Sequence, residues 1–96
     1  MEKVAVIIPI YQTQLNPREE VSLRQCISVL GKHPIIFVAP ESLDSNFLNS
    51  YGITPQTIRF KDEYFKSTKT YNRLLTSPIF YEAFTNFEYI LIYQLD

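Results

Sequence analysis

Few side chains in this sequence stand where they could do chemistry. The most promising is Asp96, a carboxylate that follows the apolar run Tyr89 to Leu95 (YILIYQL). A carboxylate is a hard oxygen ligand, suited to Mg2+ or Mn2+ and, through the metal, to a phosphate. His33 lies between Lys32 and Pro34 with no Cys or His at metal-ligand spacing, and reads as an exposed turn residue. Cys26 falls on an apolar helical stripe and reads as a small core residue. As the single cysteine it has no internal partner, which points to a reducing compartment and so to the cytoplasm. Lys61, Lys66 and Lys69 are scattered positives and read as solvated. Two glycines leave no room for a GxGxxG fingerprint or a Walker-type loop, so a glycine-rich phosphate cradle is excluded. A formal net charge of −1 argues against a nucleic-acid binder, which carries a basic stripe.

The elements that must position these groups follow from patterning. The 96 residues, 46% hydrophobic and 15% aromatic, can fold as one small unit. Val4 to Ile10 (VAVIIPI) is apolar on both faces and rich in β-branched residues, the pattern of a strand covered on both sides. Pro9 cannot donate to a ladder, so pairing should weaken near it. The apolar run from Val4 to Tyr11 is too short to span a bilayer, and no transmembrane segment is expected. Asn16, Pro17 and Glu19 form a helix start, and Leu23, Cys26, Ile27 and Leu30 give one apolar stripe over a helix 17–30. Gly31 is expected to close it in the left-handed conformation. Ile35 to Ala39 is a second buried strand, which makes a βαβ unit with parallel strands.

Residues 42–51 read as a short helix capped by Ser42 or Asp44 and ended by Gly52. Thr57 to Phe60 is a short third strand, followed by a charged and aromatic loop from Lys61 to Lys66. Ser67 to Leu75 reads as a helix with Tyr71, Leu74 and Leu75 on one side. Ser77-Pro78 restarts it, with Ile79, Phe80, Ala83, Phe84 and Phe87 as a second stripe. The run YILIYQL is the last strand, apolar enough to expect neighbours on both edges and helices on both faces. These elements predict an α/β Rossmann-like three-layer sandwich with a mostly parallel sheet of about four strands, in the order 3-2-1-4. A ligand crevice is then expected between the carboxyl ends of strands 1 and 4, which carry Pro9-Ile10-Tyr11 and Gln94-Leu95-Asp96. An uncovered last strand also allows a different reading. The chain would be a non-catalytic α/β interaction module, forming a homodimer through that C-terminal strand edge.

Three segments carry a resemblance. VAVIIPIYQ (4–12) resembles the opening strand of family 2 glycosyltransferases of the GT-A type, which runs hydrophobic and then P-x-Y-N. TYNRLL (70–75) is similar in position to their A-R-N-x-G segment, and EYILIYQLD (88–96) resembles the strand that ends in D-x-D. The stretch from YFKSTKTYNRLL through FYEAFTNFEYILIYQLD is similar to an uncharacterised bacterial family with this fold. The resemblance spans the chain but only the N-terminal half of such a domain. It implies a nucleotide-binding role for Pro9 and Tyr11 after the first strand, for Glu41 after the second, and for Asn72 at the Asn of the A-R-N segment. Tyr71 replaces the Arg of that segment and removes a cation. Asp96 would be the first Asp of D-x-D and would ligate Mn2+ or Mg2+. The second Asp, the acceptor pocket and any general base would lie C-terminal to residue 96. The expectation is therefore an incomplete GT-A fold: the nucleotide-sugar-binding part of a metal-dependent glycosyltransferase, inactive as a transferase by itself.

Overall fold

A computed structural model describes residues 4–51 and 56–95 of the chain. Its centre is β1 (Val4–Pro9), joined through α1 (Pro17–Leu30) to β2 (Ile35–Pro40). β3 (Gln56–Phe60) comes next, then α2 (Thr68–Leu75), α3 (Pro78–Glu82) and β4 (Tyr89–Ile92). The four strands form one parallel sheet in the order β3-β2-β1-β4. The predicted α/β Rossmann-like architecture and its strand order are therefore those of the molecule. No helix among the described residues is long and apolar enough to cross a membrane.

The helix starts form as their sequences dictate. The Asn16 side chain accepts from the Glu19 N–H at 2.8 Å, and the Glu19 carboxylate accepts from the Asn16 N–H at 3.0 Å. Two otherwise orphaned donors are satisfied reciprocally, and Pro17 stands at the first helical position, where its missing N–H costs nothing. Ser67 and Thr70 form the same kind of box at the start of α2, and Ser77 with Pro78 begins α3.

Both faces of the two central strands are covered. Val6, Ile8, Phe37 and Ala39 pack on one face with Leu23 and Cys26 of α1 and with Leu48. Ala5, Ile7, Ile36 and Val38 pack on the other face with Leu74, Phe80 and Phe84. Full burial of alternate residues on both faces explains why these strands read as unbroken apolar runs. Burial pushes the Cys26 thiol above its ordinary pKa, as suits a small core residue.

Several local expectations are revised. Residues 42–45 are not helical; a 3-10 helix spans Asn46–Tyr51, and Asp44 rather than Ser42 accepts from the Asn46 N–H, at 3.0 Å. Ser42 instead donates its N–H to Asp62 at 3.0 Å. Gly52 lies outside the described residues. The segment after β3 is not a plain loop but holds a 3-10 turn, Asp62–Phe65. α3 is a single short turn, and Ile79 is exposed while Phe80 and Phe84 are buried. β4 is shorter than its apolar run and is covered on one face only. Ile90 and Ile92 face the α2–α3 layer, whereas Tyr89 and Leu91 are 63% and 45% exposed. The run expected to be covered on both faces is covered on one over β4, because α1 lies over the central strands and reaches only Tyr93 just beyond it.

Gly31 does not adopt the left-handed cap; its φ and ψ are −65° and −8°. Glycine is needed there for space, since a Cβ would run into the Ile27 carbonyl oxygen. Alanine at an ordinary right-handed position stabilises by restricting the unfolded chain. Here the clash opposes that gain, and Gly31→Ala should lower stability by about 1 kcal/mol. Urea unfolding checks this, and a raised midpoint would mean that the carbonyl yields.

Candidate functional site

The backbone of β1 shows where its pairing with each neighbour ends. Along a parallel strand, successive residues turn their N–H and C=O groups to opposite neighbours. Val6 and Ile10 donate to Pro34 and Val38 on the β2 side, both at 2.8 Å. Ile7 faces β4 and accepts from the Tyr93 N–H, also at 2.8 Å. Pro9 has the parity of Ile7, so the donor it lacks is one that would have faced β4. Pairing with β2 therefore continues past Pro9, while pairing with β4 stops at the Ile7–Tyr93 bond. The two carboxyl ends part at the point where the strand order reverses.

A cavity of ≈510 Å³ opens at that point, lined by Tyr11, Phe65 to Thr68, Tyr71, Asn72, Leu75 and Gln94. Thr68, Tyr71, Asn72 and Leu75 recur at i, i+3, i+4 and i+7, so one face of α2 forms a wall. The buried Leu74 points away from it into the core. Tyr11, half exposed just after β1, forms the opposite side. The Phe65 and Tyr71 rings lie 6.3 Å apart and tilted, and Gln94 Nε2 donates to the Tyr71 hydroxyl at 3.4 Å. The Asn72 side-chain amide has no hydrogen-bond partner among the described residues. Aromatic walls with two amides suit a flat, polar-edged ring, and the volume falls in the range of small-molecule sites.

Of the residues picked out by sequence, the structure brings Tyr11 and Asn72 together. Pro9 stays behind them, buried at the end of β1 beside a dent of ≈10 Å³ that holds no more than one water. Glu41 is exposed at the end of β2, tied by its N–H to the Phe60 carbonyl at 2.9 Å, and does not line the cavity. Asp96 lies outside the described residues. Among the described residues, no group of three His, Cys, Asp or Glu side chains comes together that could hold a metal ion. His33 is exposed in its turn. Phe65, Ser67, Thr68 and Leu75 are not among the site candidates of the sequence, whereas Gln94 stands at the strand end where the crevice is expected. The i, i+3, i+4, i+7 repeat in TKTYNRLL was the available signal for the α2 face.

The wall that carries Phe65 is anchored through the 3-10 turn before it. Arg59 of β3 donates to the Pro40 and Leu43 carbonyls and to Ser45 Oγ, which holds the loop after β2. Asp62 accepts the Ser42 N–H from that same loop.

Fold and cavity define an α/β protein of Rossmann-like type with its opening at the topological switch point. Residues 54–96 match a family described as "Protein of unknown function (DUF5672)". That stretch contains β3, β4 and the α2 wall of the cavity. No curated protein and no solved structure matches the chain.

Ser42, through its hydroxyl and then its backbone N–H, holds the Asp62 carboxyl below its ordinary pKa of 3.8. A depressed folded-state pKa contributes stability that is full above pH 3.8 and is lost as pH falls through the lower folded value. Asp62→Asn keeps an acceptor but loses the charge. It should lower the urea midpoint at pH 7 and lower it by less at a pH well under 3.8, where the carboxylate contribution is being lost. Equal losses at both pH values would remove the carboxylate charge from this account.

Proposed function

We propose that the cavity between the carboxyl ends of β1 and β4 binds a nucleoside diphosphate sugar. The chain is then the N-terminal, nucleotide-sugar-binding part of a metal-dependent glycosyltransferase, inactive as a transferase alone. The observation that carries this reading is the meeting of Tyr11 and Asn72, from distant segments, in one ≈510 Å³ cavity at the switch point. Tyr11, Phe65 and Tyr71 offer faces for a base, and the Asn72 and Gln94 amides offer donors and acceptors for its polar edge. The parent reaction would transfer a glycosyl group from the diphosphate to an acceptor. Mn2+ or Mg2+ at Asp96 belongs to the same reading, because a diphosphate leaves readily only when its charge is neutralised. One carboxylate is not a complete metal site. A free, buried Cys26 suits the cytoplasm, where we place the chain.

Calorimetric titration with UDP- and GDP-sugars, with and without Mn2+, tests this. We expect saturable binding for one nucleotide and a loss of about tenfold or more in Tyr11→Ala or Asn72→Ala. No heat at millimolar ligand would end the assignment of binding to this chain.

The edge of β4 favours a second reading. Because Tyr93 turns to β1, the alternate residues Ile90 and Ile92 turn their N–H and C=O groups outward. Next to them stand the exposed Tyr89 and Leu91. An interaction module would pair through this edge with a second copy. Light scattering on a size-exclusion column decides it. A stable dimer that Ile90→Pro abolishes, and that nucleotide does not alter, supports the module, and a monomer at all concentrations rejects it.

A further inference from the structure

The cavity has an electrostatic feature beyond its shape. Lys66 is the one charged residue among its described lining groups; the others are aromatic, amide, hydroxyl or aliphatic. The chain as a whole carries a net charge of −1, so a positive wall is not a general property of its surface. Lys66 is exposed and makes no ion pair among the described residues. The acidic group it acts on is Asp62, whose carboxylate is already engaged by Ser42, and Lys66 is the smallest contributor to the depressed pKa of that group. Lys69, in the first turn of α2, does not line the cavity, and Arg73 lines a separate recess with Glu63, Tyr64 and Thr70. Lys66 directly follows Phe65, whose ring contacts Tyr71. One short segment therefore presents an aromatic wall and a cation side by side.

We propose that Lys66 is the phosphate-binding cation of this cavity, meeting the diphosphate of a ligand whose ring lies against Phe65, Tyr71 and Tyr11. This rests on the nucleotide reading above and adds to it the residue that makes the site select phosphorylated over unphosphorylated nucleosides. An ammonium on a flexible stem serves here as a point charge with three donors. The Tyr71 hydroxyl and the Gln94 amide carry no charge and cannot replace it.

The test compares uridine, UDP and inorganic pyrophosphate, and the guanine counterparts, on wild type, Lys66→Gln and Lys66→Arg by calorimetry at low and high salt. Wild type is expected to bind the diphosphate about tenfold more tightly than the nucleoside, with pyrophosphate competing. Lys66→Gln should lose that tenfold advantage while binding the nucleoside within about twofold of wild type. Lys66→Arg should keep most of it, and added salt should weaken the diphosphate more than the nucleoside. Binding of neither ligand by wild type would overturn the nucleotide reading and this role with it. Wild-type binding with an unchanged diphosphate preference in Lys66→Gln would overturn the Lys66 assignment alone. So would equal loss of nucleoside and diphosphate, which marks a structural effect.

Discussion

A missing hydrogen-bond donor at Pro9 ends the pairing of β1 with β4 at the carboxyl end of the sheet. β1 is the central strand, with β2 on one side and β4 on the other, and its backbone groups alternate between them. Removing the N–H that would face β4 leaves the β2 ladder intact. It lets the last strand part from β1 after Tyr93. The cavity opens beyond these paired ends, with Tyr11 and Gln94 at its two strand-end margins.

The remainder of the site depends on how β3 and the 3-10 turn after it are tied to the rest of the sheet. Arg59 and Asp62 each bond the loop after β2, one by its guanidinium and one by its carboxylate. These bonds fix the start of the turn that leads through Phe65 and Lys66 to the Ser67 cap. α2 is then held over the sheet by Leu74, which is fully buried with Phe80 and Phe84. With Leu74 inward, the helical repeat necessarily turns Thr68, Tyr71, Asn72 and Leu75 along the neighbouring face. The same helix therefore contributes Leu74 to the core and a mixed aromatic and polar face to the cavity.

On the opposite face, α1 spans the central strands and leaves Tyr89 and Leu91 of β4 exposed. Tyr93, by contrast, packs under α1 and its hydroxyl reaches the Ser22 carbonyl at 3.4 Å. Coverage of the last strand thus changes along its length. Its carboxyl end is anchored next to the cavity, and its amino end presents apolar side chains and outward backbone groups. An edge without charge or proline is the kind that accepts another strand.

The local elements were legible because their signals are short-range. Asn16, Pro17 and Glu19 specify a helix start through bonds within one turn, and unbroken β-branched runs specify strands covered on both faces. The four-strand order followed from the alternation of those elements and the general rules of α/β winding. Site membership was less legible. Glu41 and Pro9 sit at strand ends, as the positional argument requires, yet only Tyr11 and Asn72 reach the cavity among the described candidates. Whether a residue after a strand faces the cavity depends on which sheet face its side chain takes and on which helix lies above. Gly31 carries the same lesson, since its need for space comes from the Ile27 carbonyl rather than from a left-handed backbone. By itself, then, the sequence determined the main strands and helices, the sheet order and the end of the sheet at which the cavity opens, all consequences of hydrogen bonding and periodicity along the chain. Only the tertiary structure decided that Phe65, Lys66, Tyr71 and Gln94 share one cavity with Tyr11. Contacts between distant segments are set by how α2 packs on the sheet, and no local pattern encodes that.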